Sequence, residues 1–133
     1  MMQAGTYYIG DLCYVMPNEW NEFCKITITE SAIDGEFEFA DGRKFAAYST
    51  SYGDGVYPCS NGAMLGVDAG LIGCMLVQDI RGVEEKEINR LGTVVTFDEP
   101  FTTGEKDGVI SFGYVTVDTT INDFEEEEEE EGF

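Results

Sequence analysis

Gly35-Glu36-Phe37-Glu38-Phe39-Ala40-Asp41-Gly42-Arg43-Lys44-Phe45-Ala46-Ala47-Tyr48 is the stretch that sets the fold class. Phe37 and Phe39 alternate with Glu36 and Glu38, the period-two pattern of a strand with one face buried. Asp41-Gly42 separates this run from a second extended one, and both residues tolerate the positive φ that a two-residue hairpin turn requires. The same device follows downstream, where Asn61-Gly62 divides Val56-Tyr57-Pro58-Cys59-Ser60 from Ala63-Met64-Leu65-Gly66-Val67. Pro58 has no N–H to give to a ladder, which assigns its strand to a sheet edge. Leu71-Ile72-Gly73-Cys74-Met75-Leu76-Val77 is apolar almost throughout, as a central strand covered on both faces should be.

On the N-terminal side, Thr6-Tyr7-Tyr8-Ile9 reads as extended, bends at Gly10-Asp11 and resumes at Cys13-Tyr14-Val15. Pro17 suits the first position of a short helix over 17–24, with Trp20 and Phe23 or Cys24 on one side. Ile26-Thr27-Ile28-Thr29 alternates like a half-buried strand. On the C-terminal side, residues 83–91 hold one or two helical turns ended by Gly92. Strands follow at 93–97, 109–112 and 114–117, with Gly113 as a bulge. The expected fold is all-β, a small sandwich or barrel of eight to ten short strands with one or two short helices. It occupies residues 1–118, followed by an acidic tail over 119–133.

Charge and composition narrow the function. The 133 residues carry 27 Asp and Glu against seven Lys and Arg, a net charge of −20, and no histidine. Without histidine there is no His-based triad, His metal site or histidine pH switch. The tail holds eight acids (Asp123 and Glu125 to Glu131) and no base, so self-repulsion predicts disorder there. The 19 acids left in the body still face seven bases, a net charge of −12. That sign opposes direct nucleic-acid binding and docking on anionic membranes, and it favours a basic protein partner. No run reaches the ~18 apolar residues of a membrane span. Met1-Met2-Gln3-Ala4-Gly5 shows no secretory signal, so the expected compartment is the cytoplasm.

Cys13, Cys24, Cys59 and Cys74 form no CxxC pair, which leaves zinc ribbons and thioredoxin-type chemistry without support. Reduced thiols are expected in the cytoplasm. Cys74 reads as a core residue, and Cys59, beside a turn, as the most exposed thiol. A catalytic cysteine would need a base that the chain does not supply from histidine.

The densest feature is a set of aspartates set in glycine: Gly10-Asp11, Tyr52-Gly53-Asp54-Gly55 and Gly66-Val67-Asp68-Ala69-Gly70. Glycine lets such loops turn tightly and lets another group come close. Asp11, Asp54 and Asp68, with Tyr52 or Tyr57 lining the same surface, are the candidate binding residues. The alternatives are separate turn caps, oxygen ligands for Ca²⁺ or Mg²⁺, and an acid/base pair for glycoside hydrolysis. The acid spacing is not that of an EF-hand.

Two resemblances attach to these residues. Gly5 to Val15 with Trp20 and Cys24, the Tyr52-Gly53-Asp54-Gly55-Val56-Tyr57 segment and Gly66 to Gly73 are similar to a group of short phage and bacterial proteins. That group carries no assigned activity. The resemblance spans most of residues 5–118 and implies a phage or bacterial cytoplasmic origin. The tail, with Phe124 before the glutamates and Phe133 after them, resembles the acidic tails of single-stranded DNA-binding proteins. It implies a protein-docking tail with Phe124 and Phe133 as contacts, although this body offers no basic groove for a tail to guard.

The expected function is therefore a small, acidic, phage-encoded interaction module in the host cytoplasm. It binds and inhibits a basic host protein, by nucleic-acid mimicry as one route, without being an enzyme and without a cofactor. The alternative is a module for a small ligand or Ca²⁺ at the Asp-Gly loops, and behind it a virion decoration protein or a carboxylate-based hydrolase. Unfolding the protein without reductant should expose four reactive thiols per chain. Two or none would mean disulfides and overturn the compartment.

Overall fold

The extended runs become ten strands among the residues that the computed structural model describes, 1–16, 19–29, 35–68 and 70–120. They are β1 (Gly5–Gly10), β2 (Gly35–Glu38), β3 (Lys44–Ser49), β4 (Gly55–Pro58), β5 (Met64–Val67), β6 (Leu71–Leu76), β7 (Thr93–Phe97), β8 (Thr103–Lys106), β9 (Val109–Phe112) and β10 (Val115–Asp118). Two helices, α1 (Trp20–Thr29) and α2 (Glu85–Leu91), accompany them. All pairings are antiparallel, in a five-stranded sheet of order β2-β3-β6-β1-β7, a three-stranded sheet β10-β9-β8 and the β4-β5 hairpin. None of these closes into a barrel.

The five-stranded sheet is the middle layer. Tyr7, Ile9, Ala46, Tyr48, Ile72, Cys74 and Leu76 face one side, where Tyr57 and Leu65 of the β4-β5 hairpin and Ile110, Phe112, Val115 and Val117 pack on them. The alternate residues Tyr8, Phe45, Ala47, Leu71 and Met75 face the other side, under Leu12, Val15, Phe23 and Ile88. All six residues of β6 are buried, because β6 lies at the centre of the sheet with a layer on each face. Alternation along each strand supplies both faces at once. At Gly73 the neighbouring strand and the 3₁₀ turn both press on the backbone. A Cβ there would lie 2.2 Å from the Ala46 carbonyl oxygen and 2.7 Å from the Leu12 side chain.

Arg43 holds α1 onto this layer. Its buried guanidinium meets Glu19 just before the helix, Asp41 in its own loop at 2.8 Å and the Asp79 carbonyl at 3.2 Å, and lies over the Phe39 ring. A buried cation is tolerable only with such partners.

Several local expectations need correction. The hairpin loops at Asp41-Gly42 and Asn61-Gly62 contain three residues each, not two. The Phe39 N–H bonds to the Arg43 carbonyl and the Gly42 N–H to the Phe39 carbonyl, so Ala40-Asp41-Gly42 forms the loop. Cys59, Ala63 and Gly62 repeat this pattern around Ser60-Asn61-Gly62. Only the glycine needs positive φ, +95° at Gly42 and +94° at Gly62, while Asp41 and Asn61 use their side chains to accept the N–H two residues on. The two-residue Asp-Gly loop lies instead at Asp107-Gly108, where Lys106 pairs with Val109 and Asp107 has φ +53°. It joins β9 to β8, a strand whose Thr-Gly-Glu-Lys sequence has no apolar alternation to announce it. Gly113 is not a bulge. It opens the two-residue loop Gly113-Tyr114 between β9 and β10.

Two runs read as strands are helical. Leu12–Val15 is a turn of 3₁₀ helix capped by Asp11. Ile26 to Thr29 finish α1, whose Trp20, Phe23, Cys24 and Ile26 pack on the sheet, and this burial outweighs the β preference of Ile and Thr. Pro58 does sit on an edge strand, opposite Met64. Pro17 and residues 121–133, with Phe124 and Phe133, lie outside the described residues. Thr119, at the start of the expected tail, is buried and bonded to Gly108 and Ser51.

Gly62→Val should cost about 1–2 kcal/mol through positive φ alone, since no atom lies within 4 Å of its Cβ site. Gly73→Ala should cost about 3 kcal/mol, by forcing β3 and β6 apart. Urea unfolding of both variants reads the contrast, and equal effects would refute it.

Candidate functional site

The three Gly-Asp segments meet at one end of the five-stranded sheet, where β1 and β3 finish and β6 begins. Asp11 joins two of them. One carboxylate oxygen accepts the Cys13 N–H at 2.9 Å and caps the 3₁₀ turn; the other accepts the Asp68 N–H at 2.7 Å, 57 residues away in sequence. The Tyr14 hydroxyl, carried on that turn, donates to the Asp68 carboxylate at 2.6 Å. The third segment is held by Thr50, whose hydroxyl donates to the Gly53 carbonyl at 2.7 Å and whose N–H donates to the Gly70 carbonyl at 3.1 Å. The Tyr57 hydroxyl also donates to the Gly53 carbonyl, at 2.8 Å. A Cβ on Gly70 would lie 3.6 Å from Gly53 Cα, so the two loops touch through their backbones.

This arrangement divides the candidate residues. Asp54, Asp68 and Tyr52 are exposed and form a rim. Asp11 lies beneath it, fully buried, as the tie between loops rather than as a ligand-facing carboxylate. Tyr57 is a core residue, not a lining one: its ring is buried among Leu65, Ile110 and their neighbours, and only its hydroxyl reaches the loop. Tyr14 belongs to the site and was missed by sequence reasoning. Its position three residues after Asp11 carries no signal until the 3₁₀ turn aims its hydroxyl at Asp68.

The electrostatics are uniformly negative. Burial, a hydrogen bond with Asp11 and the charges of Asp11, Asp68 and Asp54 push the Cys13 thiol up to about 12. Burial and the bond to Asp68 raise Tyr14 as well. Cys13 is therefore held as a neutral thiol, the opposite of an activated nucleophile. Cys59 is buried, contrary to its expected exposure, because the hairpin turns its side chain into the core. Burial raises both its thiol and that of Cys74. Among the described residues no three Cys, Asp or Glu side chains are grouped to hold a metal ion. No described helix is long and apolar enough to cross a membrane. Compared with known proteins, the chain matches no family model, no curated sequence and no solved structure.

Asp11→Asn keeps one acceptor and turns an N–H₂ toward either Cys13 or Asp68, so it should cost about 1–3 kcal/mol, while Asp54→Asn stays near neutral in urea unfolding. Stability should also fall as pH rises above about 9. The unfolded chain releases the Cys13 proton near 9.0 and the Tyr7 proton near 10.0, whereas the folded protein holds both to about 12. Unfolding midpoints across this window should decline, and Cys13→Ser should flatten the decline.

Proposed function

We propose that this chain is a non-catalytic binding module that takes a basic protein partner on the rim formed by Asp54, Asp68, Tyr14 and Tyr52. The observation that carries the proposal is the Asp11 tie. A fully buried carboxylate fixes the Asp68 loop against the 3₁₀ turn, Thr50 holds the Asp54 loop beside it, and the outcome is two exposed carboxylates beside an exposed tyrosine. Asp54 and Asp68 take part in none of the ion pairs among the described residues, which engage the N-terminus, Arg43, Arg81, Lys86 and Arg90 elsewhere. Rigid loops bearing uncompensated charge suit recognition, since little ordering is left for the binding step. The charge of the whole chain adds long-range attraction for a cationic partner.

A protein whose basic face ordinarily meets nucleic acid is the partner class this charge fits best, and occupying that face would inhibit it. The resemblance of the Gly-Asp motifs to short phage and bacterial proteins supports a phage-encoded module acting inside the host cell. Affinity capture from host lysate tests the reading when wild type is run beside Asp54→Asn/Asp68→Asn. A partner retained by wild type should be lost by the double variant and at about 0.5 M salt, where exposed charges are largely screened. Equal retention by both chains would refute the rim.

A further inference from the structure

The opposite end of the five-stranded sheet carries a second, chemically different feature. Phe97 pairs with Gly5 at the start of β1, while the Asp11 loop follows its end, so the two places are separated by roughly 17–20 Å of strand. Phe97 and Phe101 stack there with ring centroids 3.9 Å apart, and both are buried. Tyr114 leans on Phe97 at 5.3 Å with an interplanar angle of 56°, yet is 73% exposed, the most exposed large apolar side chain among the described residues. The three rings, with Asp98 and Glu99, border a cleft of about 430 Å³.

The exposed ring is held in place. Gly113 enters its turn at φ +61° and donates its N–H to the Thr102 carbonyl at 2.9 Å. A Cβ at Gly113 would come within 3.0 Å of the Phe97 ring, so the turn is pressed against the aromatic pair. The Tyr114 hydroxyl reaches the Thr96 carbonyl at 3.4 Å. Asp98 and Glu99 are exposed and enter no ion pair among the described residues. An aromatic face with a fixed orientation attracts a cation through its quadrupole, and two carboxylates alongside add charge and hydrogen-bond acceptors.

We propose that this cleft binds an arginine side chain of a basic protein partner, the guanidinium lying on the Tyr114 ring with its N–H groups directed to Asp98 and Glu99. Arginine fits better than lysine because a planar guanidinium can stack on the ring and still present its edge to carboxylates. The site gives the molecule a second contact point, at the far end from the Gly-Asp rim, and stands whether or not that rim binds.

The test is an amide and aromatic NMR titration of the full chain with N-acetyl-arginine amide, beside the neutral isostere N-acetyl-citrulline amide. Saturable shifts at Thr96, Gly113 and Tyr114 are expected with arginine and not with citrulline. Tyr114→Leu should weaken the arginine response roughly fivefold, and Tyr114→Phe should preserve it. Asp98→Asn/Glu99→Gln should weaken it as well, which keeps the proposal falsifiable if Tyr114→Leu does not fold. No saturable shift at the cleft, equal response to citrulline, or unchanged binding in the charge variant would overturn it. Arginine shifts confined to the Asp54 and Asp68 loops would overturn this site and leave the rim intact; shifts at the cleft with no partner lost by Asp54→Asn/Asp68→Asn would do the reverse.

Discussion

Burial of β6 on both faces is the constraint from which the remaining layers follow. Six consecutive buried residues need a cover on each side of the sheet. The chain provides the β4-β5 hairpin and the three-stranded sheet on one side and the helices with the 3₁₀ turn on the other. Gly73 shows how close the fit is, since the space a methyl group would fill is taken by the Ala46 carbonyl and Leu12. Leu12 is brought there by the 3₁₀ turn, and the turn exists because Asp11 caps it. One aspartate thus serves the core and the loops together.

That double use explains why the acidic end of the molecule is orderly. Carboxylates placed near one another repel, and Cys13 registers the field of three of them. The two N–H donors to Asp11 and the Tyr14 hydroxyl on Asp68 offset part of this repulsion through hydrogen bonds. Asp54 and Asp68 are left facing water, where a high dielectric keeps the cost of their charge small. Negative charge at one end and a carboxylate-flanked aromatic cleft at the other make both ends of the sheet suited to cations, by different chemistry.

Much of the framework was legible from the residues. Period-two alternation placed β2 and β3, Pro58 placed an edge, and the apolar run 71–77 placed the central strand. The glycine-flanked aspartates also signalled, correctly, loops that come together. Ile26 to Thr29 alternate as a strand would, but Phe23 and Ile26 also lie three apart on a helix, and a short run cannot choose between the periods. Strand β8 has no pattern of its own and exists because β9 offers it a ladder. Asp41-Gly42 and Asp107-Gly108 are the same dipeptide in loops of different length, the difference being set by which strand residues pair.

The sequence by itself determined the all-β class, the sign of the charge and the concentration of turns, because these depend on composition and short-range periodicity. Only the tertiary structure decided which carboxylate is buried and which is exposed. Asp11, Asp54 and Asp68 sit in similar local sequence, and what separates them is the Asp68 N–H that folding delivers to Asp11 across 57 residues. Tyr57 and Tyr114 divide in the same way, one turned from the β4-β5 hairpin into the core and the other left standing on a tight turn. Burial is a property of neighbours, and neighbours distant in sequence are fixed by packing.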